Sequence, residues 1–372
     1  MIKKKRTARL SPDFGKRLAL VRQMARLSQE AFAKSLGIKS QKAYAHYEKG
    51  RIPPFNVLVR LARQYGVSLD YLVMNIGEWR LNSTNPPMEP DLSFERLDRL
   101  AMIERRDRFL ALLGTRSIVM GILNITPDSF SDGGKFFTFD AAMRQAEKLA
   151  ADGADIIDVG AESTRPGHTP VAAEEELARL EPILGKLASS IDVPFSIDTS
   201  KAKVARRATE LGASVVNDVW GLQKDPSLAG TVAETGAAVV LMHNREGVDP
   251  GLDIVADMRR FFDRSLRLAG DAAIPRARLI LDPGIGFGKS REQNFTALAN
   301  LAALKDYGLP ILVGVSRKSL LAEHAATPVD KSTVRTLAAN LAAAANGASI
   351  FRVHDVAEHA AAFKVFDAIA RR

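Results

Sequence analysis

Hydrophobic positions change their period along the chain. Between Gly15 and Met74 they recur at helical spacing in short blocks: Leu18, Val21 and Ala25, then Ala31, Phe32 and Leu36, then Val57, Leu58, Leu61 and Ala62. Several short helices are predicted. Ser28 ahead of Gln29 and Glu30 starts one helix and Gly37 stops it, while Ser40 caps the next, which runs through Glu48 to Gly50. The stretch from Asn82 to Pro90 holds three prolines and several small polar residues, so it reads as a linker. From Leu92 to about Leu110 the period is helical again but strongly charged. Glu95, Arg96, Asp98, Arg99, Glu104, Arg105 and Arg106 are expected on a solvated face of a connecting helix that carries no chemistry.

Beyond residue 115, short β-rich runs alternate with amphipathic stretches. The runs are Ile118 to Leu123, Ile156 to Val159, Phe195 to Ile197, Val215 to Asn217, Ala238 to Met242, Leu279 to Leu281, Ile311 to Val315 and Ile350 to Val353. Strand followed by helix, eight times over, predicts an α/β fold, the parallel (β/α)8 TIM barrel. A doubly wound open sheet is the weaker alternative, because Gly284-Ile285-Gly286-Phe287-Gly288 has the wrong spacing for a dinucleotide fingerprint. The expected division is a small all-α domain over 1–80, a linker and connecting helix over 81–114, and the barrel over 115–372.

Composition narrows the classes. Hydrophobic residues make up 46% and charged residues 26% of the chain, the balance of a globular protein rather than a disordered one. No run approaches 18 apolar residues and Lys3, Lys4, Lys5 and Arg6 open into polar sequence, so neither a spanning helix nor a signal peptide is expected. The expected location is cytoplasmic, with no membrane partner. The absence of cysteine excludes disulfides, thiolate metal sites and thiol nucleophiles, and leaves oxygen or imidazole ligands for any metal.

Charge is unevenly placed. Of the 52 Lys and Arg and the 43 Asp and Glu, 17 and 6 lie in residues 1–90, a net of +11, while the rest of the chain nets −2. A small basic module beside a near-neutral large one suits a polyanion-binding appendage. A solubilising tail is the plainer reading.

A barrel puts its catalytic groups at the C-terminal ends of its strands. The residues there are Asn124, the loop from Asp158 to Arg165, Asp198, Asn217 with Asp218, His243, Asp282, Ser316-Arg317-Lys318, and Arg352 with His354. Taken singly, each has an ordinary explanation, since an Asp closing a strand often caps the next helix. The cations Arg317, Lys318, Arg352 and His354 gather on the last two strands, where barrels commonly bind phosphate, so an anionic substrate group is implied. Asn124 would join them through its amide or give a neutral oxygen to a magnesium ion on phosphate oxygens. Asp198 and Asp282 would serve the other end, pairing with planar N–H donors or stabilising developing positive charge. The glycines after Asp282 would let backbone approach a flat ring and Phe287 pack on it.

Two resemblances sharpen these readings. Leu27-Ser28-Gln29-Glu30-Ala31-Phe32-Ala33, Leu36-Gly37 and Tyr44-Ala45-His46-Tyr47-Glu48-Lys49-Gly50, with Pro53 and Leu58, resemble the helix-turn-helix domain of the phage-repressor-like, or XRE, family. That resemblance implies duplex DNA as a partner of residues 15–75. The helix from Ser40 would enter the major groove, with Ser40, Gln41, Lys42 and His46 facing bases or phosphates and Gln29 near the backbone. A purely dimerising or protein-contacting bundle is the alternative.

The second resemblance covers about residues 115–372. Gly121-Ile122-Leu123-Asn124-Ile125-Thr126-Pro127-Asp128-Ser129-Phe130-Ser131-Asp132-Gly133-Gly134 and Asp158-Val159-Gly160-Ala161-Glu162-Ser163-Thr164-Arg165-Pro166-Gly167 resemble the two signatures of the dihydropteroate synthases, the folate-pathway targets of sulfonamides. Ser196-Ile197-Asp198-Thr199, Val216-Asn217-Asp218, Leu241-Met242-His243, Leu281-Asp282-Pro283-Gly284, Val315-Ser316-Arg317-Lys318-Ser319 and Arg352-Val353-His354-Asp355 follow in the family's order. Ala161, Ile285 and Asn244 depart from its usual glycine, phenylalanine and methionine, the last two in the pterin pocket. The resemblance implies condensation of 4-aminobenzoate with dihydropterin pyrophosphate in a homodimeric, Mg2+-dependent enzyme. Asn124, Arg352 and His354 would hold pyrophosphate and metal, while Asp198, Asn217, Asp282 and Lys318 surround the pterin. Thr164, Arg165 and Ser316 would lie near the aminobenzoate, and the loops of Phe130 and Arg165 would close over the site. Asp198, Lys318, Arg352 and His354 are the expected catalytic groups. Alternatives are a pterin-sensing transcription regulator with an inactive barrel, or another pterin-binding barrel such as a methyltetrahydrofolate methyltransferase. A methyl donor without pyrophosphate gives no reason for Lys318, Arg352 and His354.

Overall fold

The computed structural model describes residues 12–38, 40–49, 51, 53, 55–65, 67, 94–125, 135–162, 171–321 and 332–370. The chain divides into two compact units, Met1–Leu97 and Asp98–Arg372. The expected linker from Asn82 to Pro90 lies outside the described residues.

The first unit contains helices α1 (Pro12–Met24), α2 (Gln29–Ser35), α3 (Gln41–Glu48) and α4 (Phe55–Tyr65). The starts of α2 and α3 are those the sequence predicts. The Ser28 hydroxyl accepts from the Ala31 amide and the Ser40 hydroxyl from the Ala43 amide, each at 3.2 Å, satisfying donors left open at a helix N-terminus. Gly37 has φ 65°, the left-handed conformation that lets the chain turn between the two helices. Phe14, Leu18, Phe32, Leu36, Tyr44 and Leu61 fill the small core. Glu48 locks α3 to the first two helices, accepting from Arg22 Nε at 2.7 Å, Gln29 Nε2 at 2.6 Å and the Tyr44 hydroxyl at 2.8 Å. Burial opposes its charge, and these donors nonetheless hold its carboxyl below the usual range.

The second unit begins with the connecting helix α5 (Phe94–Leu110) and continues as eight strand–helix repeats. The strands are β1 (Ile118–Asn124), β2 (Ile156–Gly160), β3 (Phe195–Asp198), β4 (Val215–Asp218), β5 (Ala238–Met242), β6 (Leu279–Asp282), β7 (Leu312–Val313) and β8 (Ile350–Val353). Between and after them run α6 (Lys135–Ala151), α7 (Ala173–Ser190), α8 (Ala202–Glu210), α9 (Leu228–Thr235), α10 (Ile254–Asp271), α11 (Arg291–Ala299), α12 (Ser332–Ala345) and α13 (Val356–Ala370). All pairings are parallel, in the order β6-β5-β4-β3-β2-β1-β8-β7. A bridge between Leu281 and Ile311 brings β6 beside β7 and nearly closes the barrel. β7 is shorter than the predicted run, with Ile311 lying outside it and joined to Leu281 by the isolated bridge.

Alternate strand residues face opposite ways. Ile118, Met120, Ile156, Val215, Ala238, Val240, Ile280, Leu312 and Ile350 form one apolar cluster, the filling of the barrel's lower interior. Val119, Ile157, Val159, Val216, Val239, Leu241, Leu281, Val313 and Phe351 belong to the larger cluster between sheet and helices.

The connecting helix departs from expectation. Phe109 is fully buried within the interior cluster, so α5 stoppers the N-terminal mouth of the barrel. Its arginines are not simply solvated. Arg105 Nη2 donates to the Ala188 carbonyl at 2.6 Å, Arg99 Nη2 to the Glu234 carbonyl at 2.5 Å, and Arg106 to the Gly236 carbonyl. These carbonyls lie at or just beyond the C-terminal ends of α7 and α9, where helices leave acceptors unmatched and favour cations. Arg105 and Arg106 are half-buried as a result. Phe109→Ala should therefore destabilise the barrel by about 3–5 kcal/mol. Urea unfolding of the full chain measures this, and a loss within experimental error would show that α5 merely rests on the surface.

Candidate active site

The functional side chains stand on the same inward register as the interior cluster, one pleat higher. Asp158 follows Ile156, Asn217 follows Val215, Asp282 follows Ile280 and Arg352 follows Ile350, each two residues on. The period of two carries every one of them into the C-terminal mouth.

Asp158 is the hub. With its side chain fully buried, it accepts from Ser196 Oγ at 2.5 Å, Asn217 Nδ2 at 3.1 Å and Arg352 Nε at 2.6 Å. Arg352 reaches further through Nη2 to Asp198 Oδ2 at 3.0 Å. Burial opposes the guanidinium's charge, but Asp158 and Asp198 outweigh it and raise its pKa. Burial pushes the Asp198 carboxyl up to about 7 against the pull of Arg352, with the negative charge of Asp158 adding to the rise. Among the described residues, Asp198 Oδ1 and Asn217 Oδ1 are buried without a hydrogen-bond partner. Gly160 leaves the space beside Asp198, since a Cβ there would sit 3.4 Å from the Asp198 Cβ. Sequence reasoning assigned no role to Asp158 itself, although a carboxylate inside the run Ile156-Ile157-Asp158-Val159 was the available signal.

Across the mouth, Asp282 Oδ1 accepts from the Gly284 amide at 2.7 Å, and burial raises its pKa. Lys318 donates to the Ile285 carbonyl, and its Nζ lies 4.5 Å from the centroid of the Phe287 ring. Burial lowers the Lys318 amine to about 8. Ser316 Oγ lies 2.9 Å from His354 Nδ1 and accepts from the His354 amide at 3.2 Å. Asn124 ends β1 with its side chain exposed.

Several strand-end groups do not converge. Arg317 is turned outward to Asp355, with Nη2 and Oδ1 2.5 Å apart, so the expected cation cluster loses one member. His243 has the opposite register and packs edge-on against Phe261 and Phe262 of α10, with Nε2 3.1 Å from Asp257; burial lowers its pKa to about 3. Asp218 caps its own loop through the Trp220 and Leu222 amides. The Ile285 side chain is buried in the core, so its carbonyl rather than its side chain serves the site. Asn244 spends its amide on the Val219 carbonyl and the Arg245 amide. Phe130, Thr164 and Arg165 lie outside the described residues.

In the helical unit, Ser40, Gln41, Lys42 and His46 are exposed along α3, although the Ser40 hydroxyl is engaged as a cap. Gln29, expected near a DNA backbone, instead turns its amide nitrogen inward to Glu48.

Residues 120–354 match the family described as "Pterin binding enzyme", and residues 18–72 match one described as "Helix-turn-helix". The dihydropteroate synthase of Clostridium beijerinckii is 45% identical over 261 residues, 70% of this chain and 97% of that protein. The Bacillus subtilis enzyme is 40% identical, over 69% of this chain and 90% of its own. Among solved structures, a Clostridium difficile dihydropteroate synthase in the presence of pteroic acid superposes with a TM-score of 0.68 at 45% identity, covering 70% of this chain and 99% of that one. A Xanthomonas albilineans dihydropteroate synthase with 4-aminobenzoic acid gives 0.66 at 42% identity, covering 69% and 94%. With the barrel, its inward-facing polar register and these likenesses in agreement, the chain belongs to the dihydropteroate synthase family.

Proposed function

We propose that the barrel condenses 4-aminobenzoate with dihydropterin pyrophosphate, releasing pyrophosphate and dihydropteroate, and that the helical unit binds duplex DNA. The observation that carries the first reading is the pair of buried acceptors, Asp198 Oδ1 and Asn217 Oδ1, that have no partner among the described residues. Unmatched acceptors in a buried site are costly, and a ligand edge rich in N–H groups, such as an aminopyrimidinone, satisfies both. Asp282 and Lys318 bound the ring from the other side.

As the bond between the pterin methylene and the pyrophosphate oxygen lengthens, positive charge grows on the pterin and negative charge on the departing group. Asp198 faces the first. Arg352 uses Nε and Nη2 for Asp158 and Asp198, which leaves Nη1 for pyrophosphate beside His354. The arylamine nitrogen then bonds to the methylene carbon and gives up a proton. Asn124 fits a magnesium ion as a neutral oxygen ligand: its exposed amide has no hydrogen bond among the described residues, and magnesium takes few protein ligands alongside phosphate. Bound there, magnesium would neutralise charge on the leaving pyrophosphate. A sensor with an inactive barrel would need pterin affinity alone, and no observation favours it over the synthase.

The DNA reading rests on the exposed row on α3 and the net +11 of residues 1–90. We read the chain as a homodimer, because α12 exposes Val334, Ala338, Ala342 and Ala345 and α13 exposes Ala361, Val365 and Ile369. A second copy of the chain would cover both apolar faces and double the DNA-reading heads. The cytoplasm is the proposed location; among the described residues no helix is long and apolar enough to cross a membrane.

Pyrophosphate release that requires both substrates is the direct test, and its absence from folded protein would leave the sensor. Asp198→Asn should lower kcat by about 10²–10³-fold while weakening pterin binding far less, since a cation stabiliser acts chiefly in the transition state. Equal losses in both would assign Asp198 to binding alone.

The pH profile of kcat/KM for the pterin substrate should be bell-shaped. Asp198, raised by burial, loses its charge as pH falls through about 7. Lys318, lowered by burial, loses its charge as pH rises through about 8. The maximum therefore lies between them, and a profile flat from 6 to 9 would contradict these assignments.

For DNA, selection from random duplexes should enrich paired half-sites about one helical turn apart, with sedimentation giving twice the chain mass. Gln41→Ala should relax base preference by about 1–3 kcal/mol, whereas Lys42→Ala should weaken all sequences alike and flatten the salt dependence. Recovery of no motif would leave a protein-contact module.

A further inference from the structure

Lys289 is a buried cation that the reaction just described does not use. It is 6% exposed and immediately follows the glycine-rich loop after β6. Among the described residues its ammonium meets backbone carbonyls alone: Gly284 at 2.8 Å, Phe287 at 3.1 Å and His243 at 3.5 Å. The charged groups that face it are Asp282 and Asp257, which attract, and Lys318 and Arg245, which repel. Burial lowers its amine below the ordinary lysine range, the mark of a charge held at a cost.

The loop it grips is shaped for that grip. Gly284 and Gly288 have φ 64° and 55°, and a Cβ on either would overlap the carbonyl of His243 or Arg245. With both positions in the left-handed region, the loop lies flat against the segment after β5, and three carbonyls surround one ammonium. The groups facing outward from the same loop are the ones assigned to pterin. Ile285 offers its carbonyl to Lys318, and the Phe287 ring lies under Lys318 Nζ. Gly286 keeps that path open, since a Cβ there would come within 3.0 Å of Lys318 Cδ.

We propose that Lys289 is the positioning residue of the pterin subsite: by drawing the Gly284 and Phe287 carbonyls onto one ammonium it fixes the loop that sets Phe287 and Lys318 against the ring. This inference rests on the pterin reading of the site. Lys289 touches no substrate; it acts through Phe287 and Lys318.

The test compares full-length Lys289→Met, which keeps the chain length and removes every donor, with Lys289→Gln, which keeps two. Steady-state kinetics against each substrate and direct titration with dihydropterin pyrophosphate are measured on protein whose melting temperature has been recorded. The expected result for the Met variant is a KM for dihydropterin pyrophosphate raised by about 10- to 100-fold, as a loop displaced by up to about 1 Å would give. The KM for 4-aminobenzoate should stay within about twofold, with Gln between Met and wild type. Folded Met variant with an unchanged pterin KM, or with both KM values raised equally, overturns the proposal. If the Met variant does not fold, the Gln variant decides by the same criterion. Wild-type protein that binds the pterin but does not turn it over would instead remove the synthase reading, and the titrations would still decide the role of Lys289.

Discussion

The site depends on one buried contact, the Arg352 guanidinium held between Asp158 and Asp198. Asp158 lies two residues above the apolar filling of the barrel and is closed to solvent, so its oxygens need donors from the protein. Arg352, Asn217 and Ser196 supply them from three other strands. Removing one partner of such a pair costs roughly 3–5 kcal/mol, because the other is left charged and dry. The contact also shapes the site: with Arg352 on Asp198 Oδ2, the second oxygen of that carboxylate is left buried and unmatched among the described residues.

The same contact makes the mouth a place where opposite charges interleave. Three carboxylates, Asp158, Asp198 and Asp282, are set deep, and burial raises the pKa of the last two. The cations interleave with them, Arg352 between two carboxylates and Lys318 across the glycine loop. In the reading proposed above, a group that is anionic at one end and rich in N–H donors at the other finds partners for both ends among these side chains. Its donors would meet the carboxylates, and its phosphates would meet His354, Nη1 of Arg352 and Asn124. Preorganised charge of this kind needs no rearrangement as the reaction proceeds.

Most of this was legible because a parallel strand buried on both faces writes itself as an apolar run, and the runs gave all eight strands to within a few residues. The polar residues that interrupt or end those runs gave Asp198, Asn217, Asp282, Lys318 and Arg352. What failed did so for identifiable reasons. Taking the first polar residue after each run ignored the alternation of side chains, so His243 and Asp218 were grouped with residues of the opposite register. Arg317 looked like a site cation because its partner, Asp355, lies 38 residues away. The arginines of α5 looked solvated because their carbonyl partners lie 83 to 135 residues away, where no local pattern records them.

That last error alters how the two halves of the chain are understood. A connecting helix that merely spaced two domains could be lengthened or replaced freely. α5 instead supplies Phe109 to the barrel interior and arginines to the acceptors at the ends of two barrel helices, so it belongs to the barrel's fold from Asp98 onward. The helical unit has its own closed core around Phe32, Tyr44 and Leu61 and its own ionic lock at Glu48. Each unit therefore has an apolar core of its own among the described residues. The net positive charge follows the same division, with the basic excess in residues 1–90 and near neutrality beyond. The packing of the cores and the net charge divide the chain at nearly the same place, with the excess positive charge that suits a polyanion on the side of the helical unit.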